Sequence, residues 1–170
     1  MNTDHASGLR KRLMSTPRPV DDAFSHLHEV HVETCATIHY TSEDAAHPIE
    51  HMFDQSAGTG STQWRSARTN TTEVIVLEFD ESQHIAQLVY EVEEASCERT
   101  QELRVEFSRD GGRSFRQVLV QEFTFSPNGA NYECESLSLD LPDVTHLRLT
   151  VVPNKSGSGI ASISSLRLFS

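Results

Sequence analysis

The sequence predicts an all-β protein, an antiparallel jelly-roll β-sandwich of about eight or nine strands. Three observations predict it. Leu103-Arg104-Val105-Glu106-Phe107 alternates apolar and polar residues strictly, the mark of a half-buried strand. Asp110-Gly111-Gly112 then separates this run from a second one, Val118-Leu119-Val120-Gln121-Glu122-Phe123, and its glycines supply the positive backbone angles of a hairpin. Short runs of the same kind recur along the chain between Gly, Ser, Asn and Pro clusters, with almost no helical periodicity.

The elements follow in order. Residues 1–28 are polar, carry Pro17 and Pro19, and read as a flexible or loosely docked extension to a domain spanning 29–170. Leu9, Leu13 and Met14 would line one side of any short helix there. Val30 to Ile38 reads as a first strand. Glu43 to Phe53 can form a short helix, with Pro48 tolerated near its start. Gln55 to Thr62 is a Gly/Ser/Thr loop. Glu73 to Phe79 is apolar on both faces, as a central strand is. Ile85 to Val92 is a further strand, with Ala86, Leu88, Tyr90 and Val92 on one face. The hairpin strands come next, and Ser126-Pro127-Asn128-Gly129 is a turn. Leu137, Leu139 and Leu141 alternate with polar residues, as do Leu147, Leu149 and Val151. Pro153 to Gly159 is a second Gly/Ser loop, and Ile163 to Phe169 closes the chain as a strand.

Length and composition narrow the function classes. One domain fits 170 residues, and no apolar run approaches a membrane span. No apolar stretch follows Arg10, Lys11 and Arg12, so no secretory signal is read and a cytoplasmic location is expected. Cys35, Cys97 and Cys134 are odd in number and widely spaced, which predicts reduced thiols and no zinc or redox motif. The net charge is −11, and an acidic surface argues against nucleic-acid partners. Of the 14 basic residues only Lys11 and Lys155 are lysines; arginine suits bidentate contacts, though biased composition explains the skew equally well.

The ordered set Pro48 to Asp54, Thr62-Gln63-Trp64-Arg65-Ser66, Val74 to Phe79, Ser108-Arg109-Asp110-Gly111, Leu147-Arg148-Leu149 and Ile163 to Phe169 resembles the discoidin or coagulation-factor type C family, over roughly residues 30 to 170. The resemblance implies a galactose-binding-like jelly roll whose ligand site lies in loops at one end, for a glycan, a phospholipid or a protein. Small bacterial carbohydrate-binding proteins are similar around Phe123 to Ala130 and Val144 to Leu149. The closing segment and Trp64-Arg65-Ser66-Ala67 are also similar to the amino-terminal domain of the X-ray-repair scaffold protein, an intracellular binder of protein and DNA; the fold does not fix the ligand. Many family members hold calcium through an aspartate matching Asp54, a threonine matching Thr62 and a carboxylate in the last strand. Here Gln55 replaces the usual glycine, and Ser164-Ser165-Leu166 offers no carboxylate, so no cofactor is expected.

Candidate site residues follow. Arg65, Arg68 and Asn70 could fix polar hydroxyls, joined by His39 and Tyr40; a solvated loop is the equal alternative. Trp64 reads either as a core residue or as a stacking platform. His47 and His51 have metal-ligand spacing on a helix but lack the zinc-protease glutamate. Glu91, Glu93, Glu94 and Glu98 read as a solvated acidic face rather than a catalytic pair. Gly58-Thr59-Gly60-Ser61-Thr62 lacks the lysine of a phosphate loop, and no nucleophile motif is present. The expected function is a non-catalytic module for a glycan or other small polar ligand. The alternative is an intracellular protein-binding adaptor. A polar, aromatic-lined loop pocket would favour the first, a flat apolar patch the second.

Overall fold

The structure is a computed structural model and describes residues 26–170. The expected extension, with its Leu9, Leu13 and Met14 face, lies outside these residues except for 26–28, where His28 exchanges backbone hydrogen bonds with Ser170. Nine strands run in order: β1 Glu29–Val30, β2 Ala36–Tyr40, β3 Trp64–Thr69, β4 Glu73–Glu93, β5 Arg99–Ser108, β6 Arg116–Phe125, β7 Tyr132–Val152, β8 Ile160–Ile163 and β9 Ser165–Phe169. All pairings are antiparallel. The jelly-roll sandwich that the alternating runs predict is the fold observed.

The frame is built on β4 and β7, each 21 residues long, which pair along most of their length. The first half of β4 takes β2 on one side and the second half of β7 on the other. Its second half takes β9 and the first half of β7. Irregular register between Glu78 and Gln87 makes this switch possible. Ile75, Leu77 and Phe79 point into the core before it, and Leu88, Tyr90 and Val92 after it. The inward set moves from odd to even numbers, as an inserted bulge residue requires. Two separate strands were expected here, and the polar run Asp80 to His84 explains why: it reads as a break but is a bent strand. The same correction holds for β7, where Asp143 takes φ 57° at the bend.

Two further expectations change. Val30 to Ile38 is not one strand. A single helical turn, α1 (Val32–Cys35), separates β1 from β2 and buries Val32. The helix expected from Glu43 shrinks to one 3-10 turn, Ile49–Met52, which buries Ile49 and Met52. The hairpin keeps its predicted chemistry: Gly111 and Gly112 sit at φ 72° and 78°, and the Asp110 carboxylate ties the loop to Ser108 and Ser114.

The core joins the two layers in one cluster. Leu103, Val105, Phe107, Leu147, Leu149 and Val151 come from β5 and β7, Leu166 and Leu168 from β9, and Trp64 and Ile163 from a separate two-stranded ribbon, β3 with β8. Each such side chain contributes roughly 1.5–3 kcal/mol by leaving water. Among the described residues no helix is long and apolar enough to cross a membrane.

Candidate functional site

The β3–β8 ribbon sets the directions in which the β3 side chains leave the backbone. Trp64 pairs with Ile163 and Arg65 with Ser162, then the register breaks before Thr69 meets Ile160. Within the break Ser66 is buried; its hydroxyl accepts from the Ala161 N–H and donates to the Arg68 carbonyl. These bonds stand in for the missing ladder bonds. Arg65 and Arg68 therefore leave the ribbon differently.

Arg65 lines a cavity of about 330 Å³. The opposite walls come from the loop after β4 (Glu94, Ser96, Cys97) and from Ser158 to Ser162. Thr69, Ser96, Ser158, Ser162 and Cys97 line it, with the Ser96 hydroxyl bonded to Glu94 and that of Ser162 accepting from Arg99, and Ile160, 40% exposed, supplies an apolar surface. The Arg65 guanidinium has no hydrogen bond and no ion pair among the described residues, although its charge helps to lower the carboxyl of Asp44. Glu94 is different. Burial pushes its carboxyl up, but Ser96 and Arg99 outweigh that and hold it at about 2. One oxygen accepts from the N–H groups of Ser96 and Cys97 and from the Ser96 hydroxyl; the other accepts from Arg99. Arg99 is itself committed, donating also to Gln101, the Pro153 carbonyl and Ser162.

Of the residues the sequence nominated, only Arg65 lines this cavity. Arg68 makes a bidentate pair with Glu73, at 3.0 and 2.7 Å, and Glu73 has no exposed surface. Burial raises that carboxyl; bonds from Arg68, Thr41 and Ser42 more than reverse it. Arg68 is thus a counter-ion, not a free donor. Asn70 sits at φ 57° and clasps Gly159: its N–H donates to the Gly159 carbonyl, and its side-chain oxygen accepts from the Gly159 N–H. It shapes the cavity wall without facing the cavity. His39 bonds Glu78 at 2.8 Å, and the Tyr40 hydroxyl donates to Glu43 at 3.0 Å; neither reaches the cavity. Trp64 is 0% exposed and its N–H donates to the Ser42 carbonyl, so the stacking reading falls and the core reading stands. His47 and His51 are held apart, by Asp44 and by the Gln63 carbonyl.

Of the acidic run only Glu98 is solvated as expected; Glu91, Glu93 and Glu94 are not. Glu91 is 3% exposed and accepts the Gly58 N–H at 2.7 Å, with Arg167 at 3.6 Å; Glu93 accepts the Gly60 N–H at 2.7 Å. These glutamates hold the 55–62 loop against β4. The loop also brings together the two residues of the implied calcium site: Thr62 donates to Asp54 at 2.7 Å, and Asp54 accepts the Ser56 N–H. The set does not fit calcium. It offers one carboxylate and one hydroxyl where six to eight oxygens are needed, β9 adds only Ser165 with Ser164 before it, and the nearby glutamates are occupied by peptide N–H donors. Among the described residues no three His, Cys, Asp or Glu side chains are grouped to hold a metal.

Pattern reasoning missed Glu94, Ser96, Cys97, Ser158, Ile160 and Ser162. They come from two segments far from Arg65 in sequence, 94–97 and 158–162, which the β3–β8 pairing and the packing of the loop after β4 bring to it.

The F5/8 type C domain model matches residues 37–166. The chain belongs to the F5/8 type C domain family. No curated protein matches it. Solved structures share the F5/8 type C fold at low identity. The family 32 carbohydrate-binding module of Clostridium perfringens NanJ, in complex with galactose, has 15% identity and a TM-score of 0.59, over 85% of this chain and 99% of that one. A C. perfringens module, CpGH89CBM32-5, in complex with GalNAc-β-1,3-galactose, has 19% identity and a TM-score of 0.59, over 84% and 100%. The corresponding module of AlyQ, in complex with 4,5-unsaturated mannuronic acid, has 19% identity and a TM-score of 0.57, over 79% and 95%.

Proposed function

We propose that this F5/8 type C domain is a non-catalytic module that holds a glycan in the Arg65 cavity. The carrying observation is a guanidinium with no partner among the described residues, lining a cavity of about 330 Å³ together with serine and threonine side chains; that volume is the low end of small-molecule sites. Arginine donors and serine or threonine hydroxyls match the donors and acceptors of a sugar ring, and Ile160 offers an apolar contact for its C–H face. The sugar-bound state of the structural neighbours supports the reading. Among the described residues Glu94 is the one carboxylate lining the cavity, and both its oxygens are occupied, so the carboxyl pair of a glycosidase has no counterpart among them.

The adaptor alternative finds less support. The exposed large apolar side chains among the described residues are Tyr40, Val120 and Ile160, on β2, β6 and β8, no two of which pair with each other. The cavity lacks the aromatic wall that the sequence reading asked for, and Ile160 stands in its place. A cytoplasmic location belongs to the same reading; the three free thiols, two of them exposed, suit a reducing compartment.

A glycan array probed with the wild type and with Arg65→Ala tests the proposal. The wild type should bind a defined subset, and the variant should lose at least tenfold in affinity at unchanged melting temperature, because this side chain makes no hydrogen bond or ion pair among the described residues. Wild-type binding that the variant retains in full places the ligand elsewhere, and an array without binding rejects the glycan reading.

A further inference from the structure

We infer that the ligand of the Arg65 cavity carries a carboxylate, as a hexuronate or a sialylated glycan does, and that Arg65 reads that group. The inference rests on the glycan reading of the same cavity and adds its chemical class. Three arginines lie on the segments that build this region, and two are spent. Arg68 is bound to the buried Glu73, and Arg99 to Glu94, Gln101 and Ser162. Of the three, Arg65 alone has no partner for its donors among the described residues, and it is half-buried, so its charge is less screened than that of a surface arginine.

The negative charge in the same wall does not cancel it. Glu94 has a side chain only 11% exposed, and its oxygens are filled by Ser96, Cys97 and Arg99. Asp44 responds to the Arg65 charge, but its Oδ1 is engaged by the Ala46 N–H and by His47, and no ion pair with Arg65 forms. An unpaired guanidinium inside a pocket is costly unless a partner arrives, and a carboxylate is the partner its planar fork fits in a bidentate way. Thr69 and Ser158, whose hydroxyls have no partner among the described residues, then serve the rest of the sugar. A net charge of −11 repels long polyanions, which restricts the fit to a single acidic sugar rather than a densely charged chain.

The test uses matched probes on the full chain: monomeric galacturonate against its methyl ester, and sialyl-lactose against lactose. Affinity is read for the wild type, Arg65→Lys and Arg65→Ala. At least one acidic probe should bind the wild type tenfold or more tightly than its neutral match, the pair that responds identifying uronate or sialate. Arg65→Ala should erase that preference and Arg65→Lys should keep part of it. Neutral probes binding as tightly as acidic ones would overturn the inference and leave the glycan reading standing. A preference that survives in Arg65→Ala would assign it to another cation and overturn it too. Failure of all four probes, with only other neutral glycans bound on an array, overturns the carboxylate; failure with every glycan overturns both readings.

Discussion

Arg68 and Glu73 show what one residue of a ribbon break can decide. The Glu73 side chain is wholly buried, and its charge is matched by the two guanidinium bonds and by hydroxyls from Thr41 and Ser42. Removing the arginine leaves that charge without its partner. Arg68→Ala should cost about 3 kcal/mol, the lower end for an orphaned buried ion because Arg68 itself is half-exposed. Urea unfolding at pH 7 checks it, and a loss below about 0.5 kcal/mol would show that water replaces the arginine freely. The contrast with Arg65, whose truncation should leave stability alone, is sharp within three positions. The sequence made both arginines candidates because residue type speaks of donors but not of what consumes them. Glu73 sits five residues on, at a position that reads as the polar start of an apolar strand, so its burial was not legible.

At the scale of elements, the 55–62 loop illustrates two kinds of anchor. The family resemblance points to a metal at Asp54 and Thr62. In this chain two β4 glutamates accept loop N–H groups instead. Chelation of divalent ions should therefore leave the melting temperature unchanged, since only a ligand of the native state shifts it. A fall of several degrees with chelator, restored by calcium, would contradict this. The edge between β6 and β7 carries a titration. Glu133 and Glu135 lie two apart on β7 and share a face; Glu133 lines a crevice with Tyr90, Val92, Gln101, Gln121 and Phe123, and Gln121 donates to Glu135. Burial, then the hydrogen bond and charge of Glu135, push the Glu133 carboxyl from 4.5 to about 7. A raised carboxyl binds its proton more tightly in the folded state than in the unfolded chain. Its stabilisation is present below about pH 4.5 and is lost as pH rises to about 7. Glu94, held at about 2, contributes in the opposite sense, and its share is lost only as pH falls below about 4. Denaturant midpoints at pH 5, 6 and 8 should thus decline, and Glu133→Gln should flatten that decline. A flat wild-type profile would show that the pair ionises freely.

For the whole molecule, the strand pattern was legible because it is local. Leu103 to Phe107 alternates cleanly, Gly111 and Gly112 take the positive angles their type allows, and Leu147 to Val151 faces the core as its period demands. What was not legible is whatever depends on pairing between distant segments. The bend at Asp80 to His84 looks like a loop until β7 is placed beside it. The cavity has the same origin: Arg65, the 94–97 loop and Ser158 to Ser162 meet only through the β3–β8 ribbon and the packing of the loop after β4. That assembly also supplies a probe. Cys97 lines the cavity and is exposed; Cys134, equally exposed on β7, does not line it. The most direct test of the binding site is the alkylation rate of these two thiols, read by peptide mass spectrometry with and without saturating amounts of the tightest glycan found on the array. Cys97 should be protected at least severalfold while Cys134 reacts at its original rate. Bound glycan with Cys97 reacting as fast as before would contradict the assignment of the site.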